Sequence, residues 1–427
     1  MKSKKSESLY NLLKKLFPIT RSITGDGNRK SLKIIKTVIN KLKIIEYKSG
    51  KNVFDWKIPP EWNIRDAYVL YNKKKIIDFK QSNLHVVGYS EPINKTLSKK
   101  ELFKHIYTDK TDRTAIPYVT SYYKKTWGFC LSEKEKKKIK GSKFKVVIDS
   151  SFKKEGSLTI GELLIKGKSK KEILLSCNIC HPSLANNELS GPTLLAHIGK
   201  YISKKKNYYT YRILFLPETI GTIAYLHKNL VKIQKNFIAG FHLTCIGDSG
   251  KFSMIETKYA NSYSDEIAKK VLKKTKHKIY SFLECGSDER QYNFPGVNLP
   301  VVTICRSKFG EYKEYHSSKD NLKFVSAESL ERSYNFMINL INELEKNYKD
   351  YKIFSTTKCE PFLTKRKLFR TTSSKNDVTI SERKMFNILY YGDGKRISEI
   401  STILKVSQKE IYKISKKLEK FGLINIK

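Results

Sequence analysis

The spacing of apolar positions changes along the chain, and each change marks a different kind of element. Near the start, Leu9, Leu12, Leu13, Leu16 and Phe17 fall on one helical stripe. After a turn at Thr24-Gly25-Asp26-Gly27, a second stripe runs through Leu32, Ile35, Val38, Ile39 and Leu42, so residues 1–50 are expected to be helical. From Val53 the pattern shifts to alternating apolar residues with prolines and aromatics, and the stretch to about Lys145 reads as a β-rich module. From Phe144 strands alternate with helices. Strands are expected at Phe144–Asp149, Gly156–Ile165, Ile173–Ser176, Tyr211–Leu216, Phe237–Thr244 and Val301–Cys305. Helices are expected at Thr193–Tyr201, Thr222–Asn229, Tyr263–Thr275 and Ala327–Lys346. That rhythm predicts an α/β fold with a mixed sheet flanked by helices. A polar stretch, Lys365–Asp377, then resembles a linker, and three helices follow at Arg383–Tyr391, Ile397–Leu404 and Ser407–Phe421. Ser407 with Glu410 three residues on is an N-cap signal, and the spacing is that of a helix-turn-helix with room for one wing strand.

Composition narrows the function less than it first suggests. The chain carries 84 Lys plus Arg against 41 Asp plus Glu, a net charge of +43. The lysines are spread over every segment together with Asn and Ile, as a compositional bias would place them, so charge alone does not make this a nucleic-acid binder. No apolar run reaches the ~18–20 residues of a membrane span, and the N-terminus lacks the apolar core of a signal peptide. A cytoplasmic protein without membrane partners is expected. Seven cysteines, an odd number over a long chain, fit buried thiols better than a disulfide framework. Cys177–His181 formally matches a haem-attachment pattern, but that chemistry needs export, and no second C-x-x-C is present to complete a zinc half-site.

Candidate chemistry gathers where strands end. The apolar Ile173–Leu175 runs into Cys177-Asn178-Ile179-Cys180-His181, then a polar loop and Ser190-Gly191-Pro192, which opens a helix. Carboxyl ends of strands in an open α/β sheet are where ligands bind. Glu218 follows Tyr211–Leu216, Asp248 follows Phe237–Thr244, and His316 follows the strand at Val301. Imidazoles and carboxylates are zinc ligands, and a further carboxylate can activate a bound water. Each residue alone has a plainer reading: a structural His, a helix N-terminal Glu favoured by the dipole, a turn Asp. Their joint recurrence at strand ends points to a metal hydrolase.

The order CHPSLANNELSGP, LPETIGT, CIGD, GSDERQYNFPG, YHSSKD resembles the zinc aminopeptidases with a two-metal centre. It is more similar still to a bacterial family of aminopeptidase-like proteins associated with surface-polysaccharide biosynthesis loci. DWKIPPEWNIRDA, SYYKKTWGFC and ISEISTILKVSQKEIYKISKKLEKFGLI match that family's inserted β-domain and C-terminal winged helix-turn-helix. The resemblance implies a zinc-exopeptidase-like fold divided as follows: N-terminal helices over 1–52, an inserted β-rich domain over 53–147, the α/β domain over 148–350, a linker over 351–377 and a winged-helix-like domain over 378–427. It implies Glu218 as general base and His181, Asn187, Asp248 and His316 as metal ligands. Asp288, Glu289, Arg290 and Tyr315 would line the substrate side; Arg290 either holds a substrate carboxylate or pairs with Asp288 or Glu289. Two positions depart from the aminopeptidases. Asn187 stands for the bridging Asp, and Thr219 for the second Glu of an EE pair; Glu188 is an extra carboxylate that would compensate for Asn187. The implied cofactor is zinc, one or two ions with one weakly held. The implied activity is cleavage of an amide in a peptide-like or other amide-bearing small molecule, in surface-polysaccharide biosynthesis. Three readings stay open: the hydrolase; an inactive relative that binds a glycan precursor or a protein partner, itself included; and a DNA-binding regulator using Lys409, Lys413, Lys416 and Lys417.

Overall fold

The computed structural model describes residues 3–347, 351–370 and 379–426. They form two compact units, Met1–Glu343 and Leu344–Lys427. At the centre of the first is an eight-stranded mixed sheet. Across it the strands run in the order Lys43–Lys48, Ser157–Ile165, Thr210–Leu216, Glu172–Asn178, Phe237–Leu243, Val301–Cys305, Phe252–Ile255 and His277–Tyr280. The four middle strands, from Thr210–Leu216 to Val301–Cys305, are mutually parallel. Thr210–Leu216 and Glu172–Asn178 are buried along their whole length, as continuous apolar runs in a sheet covered on both faces must be. Helices Ser190–Ser203 and Ile220–Asn236 each follow one of these strands, so the parallel strands deliver their loops to one edge.

Two expectations near the N-terminus are corrected. The second helix is Asp26–Val38, and the chain then turns into the edge strand Lys43–Lys48 instead of staying helical to residue 50. Its antiparallel pairing with Ser157–Ile165 outweighs the local helical spacing. The strand expected to begin the α/β alternation at Phe144 is Lys143–Lys153, and it belongs to the β-rich module. There it pairs on both sides, with Glu61–Tyr71 and Ile93–Ser98, in a four-stranded antiparallel sheet. Ala67, Val69, Phe129, Phe144, Val146 and Ile148 make that module's core.

The second unit is a winged helix: helices Ile380–Tyr391, Ile397–Leu404 and Gln408–Lys420, with Ile424–Ile426 paired antiparallel to Ile353–Ser355. Ser407 caps the third helix by accepting the Glu410 N–H. The expected linker over 351–377 is corrected in its first part, because Ile353 supplies a strand and Ile353, Leu363 and Leu368 are buried in the unit's core. Residues 371–378 of that call lie outside the described residues. Lys409, Lys413, Lys416 and Lys417 are exposed on the third helix, with Lys416 paired to Glu419. Among the described residues, no helix is long and apolar enough to cross a membrane.

Candidate active site

Each of the four parallel strands hands its next few residues to the same edge. Asn178 is followed by Ile179, Cys180 and His181; Leu216 by Pro217 and Glu218; and Leu243 by Thr244 and Cys245. The fourth strand continues through a longer loop to His316. Backbone strain collects here. Thr219 has φ 62°, Cys245 φ 45° and His316 φ 51°, conformations that side chains with a Cβ seldom adopt and that cluster at functional sites.

His181 is oriented by Glu188. Its Nδ1 lies 2.7 Å from Glu188 Oε2, and the backbone N–H groups of His181 (2.7 Å) and Cys180 both donate to Oε1. Cys180, His181 and Glu188 are also the one group of three His, Cys, Asp or Glu among the described residues whose ligand atoms crowd within 4.8 Å. Glu188 is nonetheless committed by these three bonds, and burial and the Glu188 charge push the Cys180 thiol well above its ordinary range. What remains for a further partner is His181 Nε2, which faces Glu218 Oε2 at 3.8 Å. Burial opposes a charge on His181, but Glu188 more than offsets it and raises its proton affinity. Beneath the pair lies Arg21, fully buried, with Nε donating to the His181 carbonyl at 2.9 Å and 4.0 Å from Glu188. Burial lowers Arg21 to about 10 despite that carboxylate.

Glu218 is held from the other side. Ser287 Oγ donates to its Oε1 at 2.9 Å, and burial raises its carboxyl above the usual range. Its neighbour Thr219 donates its backbone N–H to Asp288 Oδ1 at 2.7 Å, while Thr222 Oγ donates to Asp288 Oδ2, also at 2.7 Å. Asp288 is thus a buried clamp on the loop, raised to about 8 first by burial and then by the Glu218 charge. Glu289 is equally buried and accepts from Gly286 N, Ser287 N and Thr303 Oγ. The expectation that Asp288 and Glu289 face substrate is therefore corrected: both hold the loop's own backbone. Of that trio only Arg290 is exposed, with Nη2 donating to Thr219 Oγ1 and Nε to the Ser287 carbonyl, both at 3.0 Å.

His316 closes the cluster. Its Nε2 is 3.0 Å from Asn187 Oδ1, and its ring centroid is 5.2 Å from that of His181. Burial, then the nearby His181, lowers His316 to about 3, so it is neutral. Tyr315 stacks on it at 3.9 Å. The β-rich module reaches the site as well. Tyr118 sits 4.9 Å from the His181 ring and 5.1 Å from that of His316, and its N–H donates to the His316 carbonyl at 2.7 Å. Asn187 lies in a kinked π-type turn, Ala185–Leu189, which Asp320 fastens by accepting the Asn186 N–H (2.6 Å) and the Asn187 N–H (2.8 Å).

Asp248 is not brought into this cluster, and its expected role as a ligand is corrected. Its Oδ1 accepts from Gly250 N (2.6 Å) and Ser307 Oγ (2.9 Å), and its Oδ2 from Asn186 Nδ2 (2.9 Å) and Ser307 N (3.3 Å). The strand-end residue beside Asn187 is Thr244, whose Oγ1 lies 3.4 Å from Asn187 Nδ2. Sequence reading also passed over Asp320, Ser287 and Tyr118. Asp320 stood four residues after His316 inside a quoted motif; for Tyr118 nothing in the linear sequence marks a reach into another module.

The donors at this edge lie within the reach of a metal ion. Zinc–nitrogen and zinc–oxygen bonds are about 2.0–2.2 Å, so two ligands of one ion lie at most about 4.3 Å apart. His316 Nε2 to Asn187 Oδ1 at 3.0 Å satisfies that limit, the His181 ring stands 5.2 Å from that of His316, and Glu218 Oε2, 3.8 Å from His181 Nε2, lies beside them as a carboxylate for a bound water. A second ion would need carboxylates where Asn187 and Thr219 stand.

Comparison with known proteins agrees with the fold. Residues 10–347 match a family described as a domain of unknown function (DUF4910), and residues 352–426 match a winged helix-turn-helix family. A Clostridium acetobutylicum protein named for polysaccharide biosynthesis, with an aminopeptidase-like domain, is 44% identical over 390 residues, covering 91% of this chain and 88% of its own. A crystal structure from the same organism, named for a peptidase, superposes with a TM-score of 0.80 at 40% identity, covering 99% of this chain and 96% of that one. The zinc aminopeptidase of Bacillus subtilis shares the fold at 12% identity, with a TM-score of 0.59 over 81% of this chain and 96% of its own.

Proposed function

Since the chain belongs to the DUF4910 family, whose fold here is that of the zinc aminopeptidases, we propose that it is a single-metal hydrolase of an amide bond. The observation that carries this reading is the convergence of His181, Glu218 and His316 on one edge of the parallel strands. His181 and His316 would hold the ion through Nε2, with the Asn187 amide oxygen as a neutral third ligand. Zinc in that position supplies polarisation of the carbonyl and a more acidic water. Glu218 takes a proton from the attacking water and delivers it to the leaving nitrogen, so the C–N bond breaks and water's oxygen stays on the acyl carbon. Ser287 fixes the carboxylate that does this, and Glu188 fixes the His181 ring so that Nε2 faces inward. Tyr118 and Tyr315 form aromatic walls. The name of the Clostridium acetobutylicum relative supports a substrate from polysaccharide biosynthesis, such as an acylated amino sugar.

One observation favours a second reading, a binding protein without turnover. Among the described residues, Asn187 and Thr219 leave Glu218 as the cleft carboxylate with an oxygen not taken by the donors named above. A panel of acylated amines and amino sugars, assayed with and without added zinc, separates the two. Turnover that Glu218→Gln abolishes supports the hydrolase; metal binding and ligand binding with no turnover across the panel supports the binder.

A further inference from the structure

The charge lining the cleft bears on the substrate, an inference that rests on the amide-hydrolase reading just given. An aminopeptidase substrate enters with a free ammonium group and needs an acidic acceptor beside the scissile bond. Apart from Glu218, the general-base candidate, the acids named around this cleft are engaged by the protein itself. Glu188 is taken by His181 Nδ1 and two backbone N–H groups, and Asp288 by Thr219 N and Thr222 Oγ. Glu289 accepts from Gly286 N, Ser287 N and Thr303 Oγ, and Asp320 from Asn186 N and Asn187 N. Asp248 has four donors of its own. All five are also buried, so they face the loops' own backbone and hydroxyl groups and not an incoming ammonium.

The cation in the cleft shows the opposite pattern. Arg290 is exposed, bonded through Nη2 to Thr219 Oγ1 and through Nε to the Ser287 carbonyl, and among the described residues no carboxylate is ion-paired with it. Its two bonds fix the plane of the guanidinium and leave an edge for an incoming anion. It stands beside Thr219, next to the general-base candidate Glu218, and its charge works to lower the proton affinity of Glu218. A positioned guanidinium with a free edge is the group that recognises carboxylate or phosphate.

We propose that the site takes an amide substrate carrying an anionic group, a carboxylate or a phosphate, anchored by Arg290, and not a peptide with a free amino terminus. The guanidinium then supplies, beside Thr219, positive charge that a second metal ion would bring in a two-metal centre.

Binding of three probes to the full-length, zinc-loaded protein tests this: N-acetylglycine, N-acetylglucosamine 1-phosphate and glycinamide. At least one anion should bind about tenfold or more tighter than glycinamide, as a charge-assisted bidentate contact allows. Which of the two binds identifies the carboxylate or the phosphate as the source. Arg290→Gln should cost the preferred anion about tenfold while leaving glycinamide unchanged, and Arg290→Lys should restore part of it. Glycinamide binding as tightly as both anions would overturn the proposal, and so would unchanged anion affinity in Arg290→Gln. The comparison among probes needs no variant, so a Gln variant that misfolds does not spare the proposal. Anion preference without turnover of any amide would remove the hydrolase reading and leave the anion site; turnover of aminoacyl amides without anion preference would do the reverse.

Discussion

The His181 side of the cleft and the Thr219 side are loops from neighbouring strands of one sheet, yet they differ in charge and in what they can bind. On the His181 side a buried carboxylate, Glu188, aims an imidazole inward, and His316 with Asn187 stands within reach. On the Thr219 side a strained hydroxyl residue is clamped from below by Asp288 and covered from outside by Arg290. On the proposed reading, the first would hold a cation. The second brings its own cation, and its carboxylates Asp288 and Glu289 are bonded to the loop's own groups, leaving Glu218.

The largest break in this comparison comes from His181→Ala, which should remove bound zinc to the limit of detection in elemental analysis, with the circular dichroism spectrum kept. Glu188→Gln should weaken zinc by about 10–100-fold in a competition titration, because the carboxylate that orients the ring is lost. Restoring a carboxylate on each side, with Asn187→Asp and Thr219→Glu together, should raise the metal count from one to two per chain.

Asp248→Ala sharpens the contrast in a different way. It should leave zinc content unchanged and lower stability by about 1–3 kcal/mol in denaturant unfolding, since the Asn186 and Ser307 donors lose their acceptor. The pH dependence of stability separates the two sides as well. Asp288 has its carboxyl raised to about 8 in the folded chain, above its ordinary value of 3.8. Its stabilising contribution is therefore complete below pH ~4 and is lost as pH rises towards 8. Thermal unfolding of Asp288→Asn should fall less steeply between pH 5 and 8 than that of the parent chain.

Much of this arrangement was legible in the sequence, for identifiable reasons. Strands 172–178, 210–216, 237–243 and 301–305 are buried on both faces, so they appear as apolar runs, and the residues that follow them stand out. His181, Glu218 and His316 were found this way. What failed was direction. Whether Asp248 or Thr244 faces the cleft depends on a turn in which Cys245 has a positive φ, and linear spacing carries no sign of that. Glu188 could be seen as an extra carboxylate, but not as one aimed at Nδ1 of His181 and the backbone. The strand at 143–153 was assigned to the wrong sheet because alternation looks alike in either one; its partners, 61–71 and 93–98, decide. Tyr118 was invisible for a related reason: its place between two histidines depends on the β-rich module folding back on the His316 loop.

The most direct test is the metal content of full-length protein purified without a chelating tag, measured beside His181→Ala. The account predicts one ion per parent chain and close to none in the variant. Two ions per parent chain, none, or full retention in His181→Ala would contradict it.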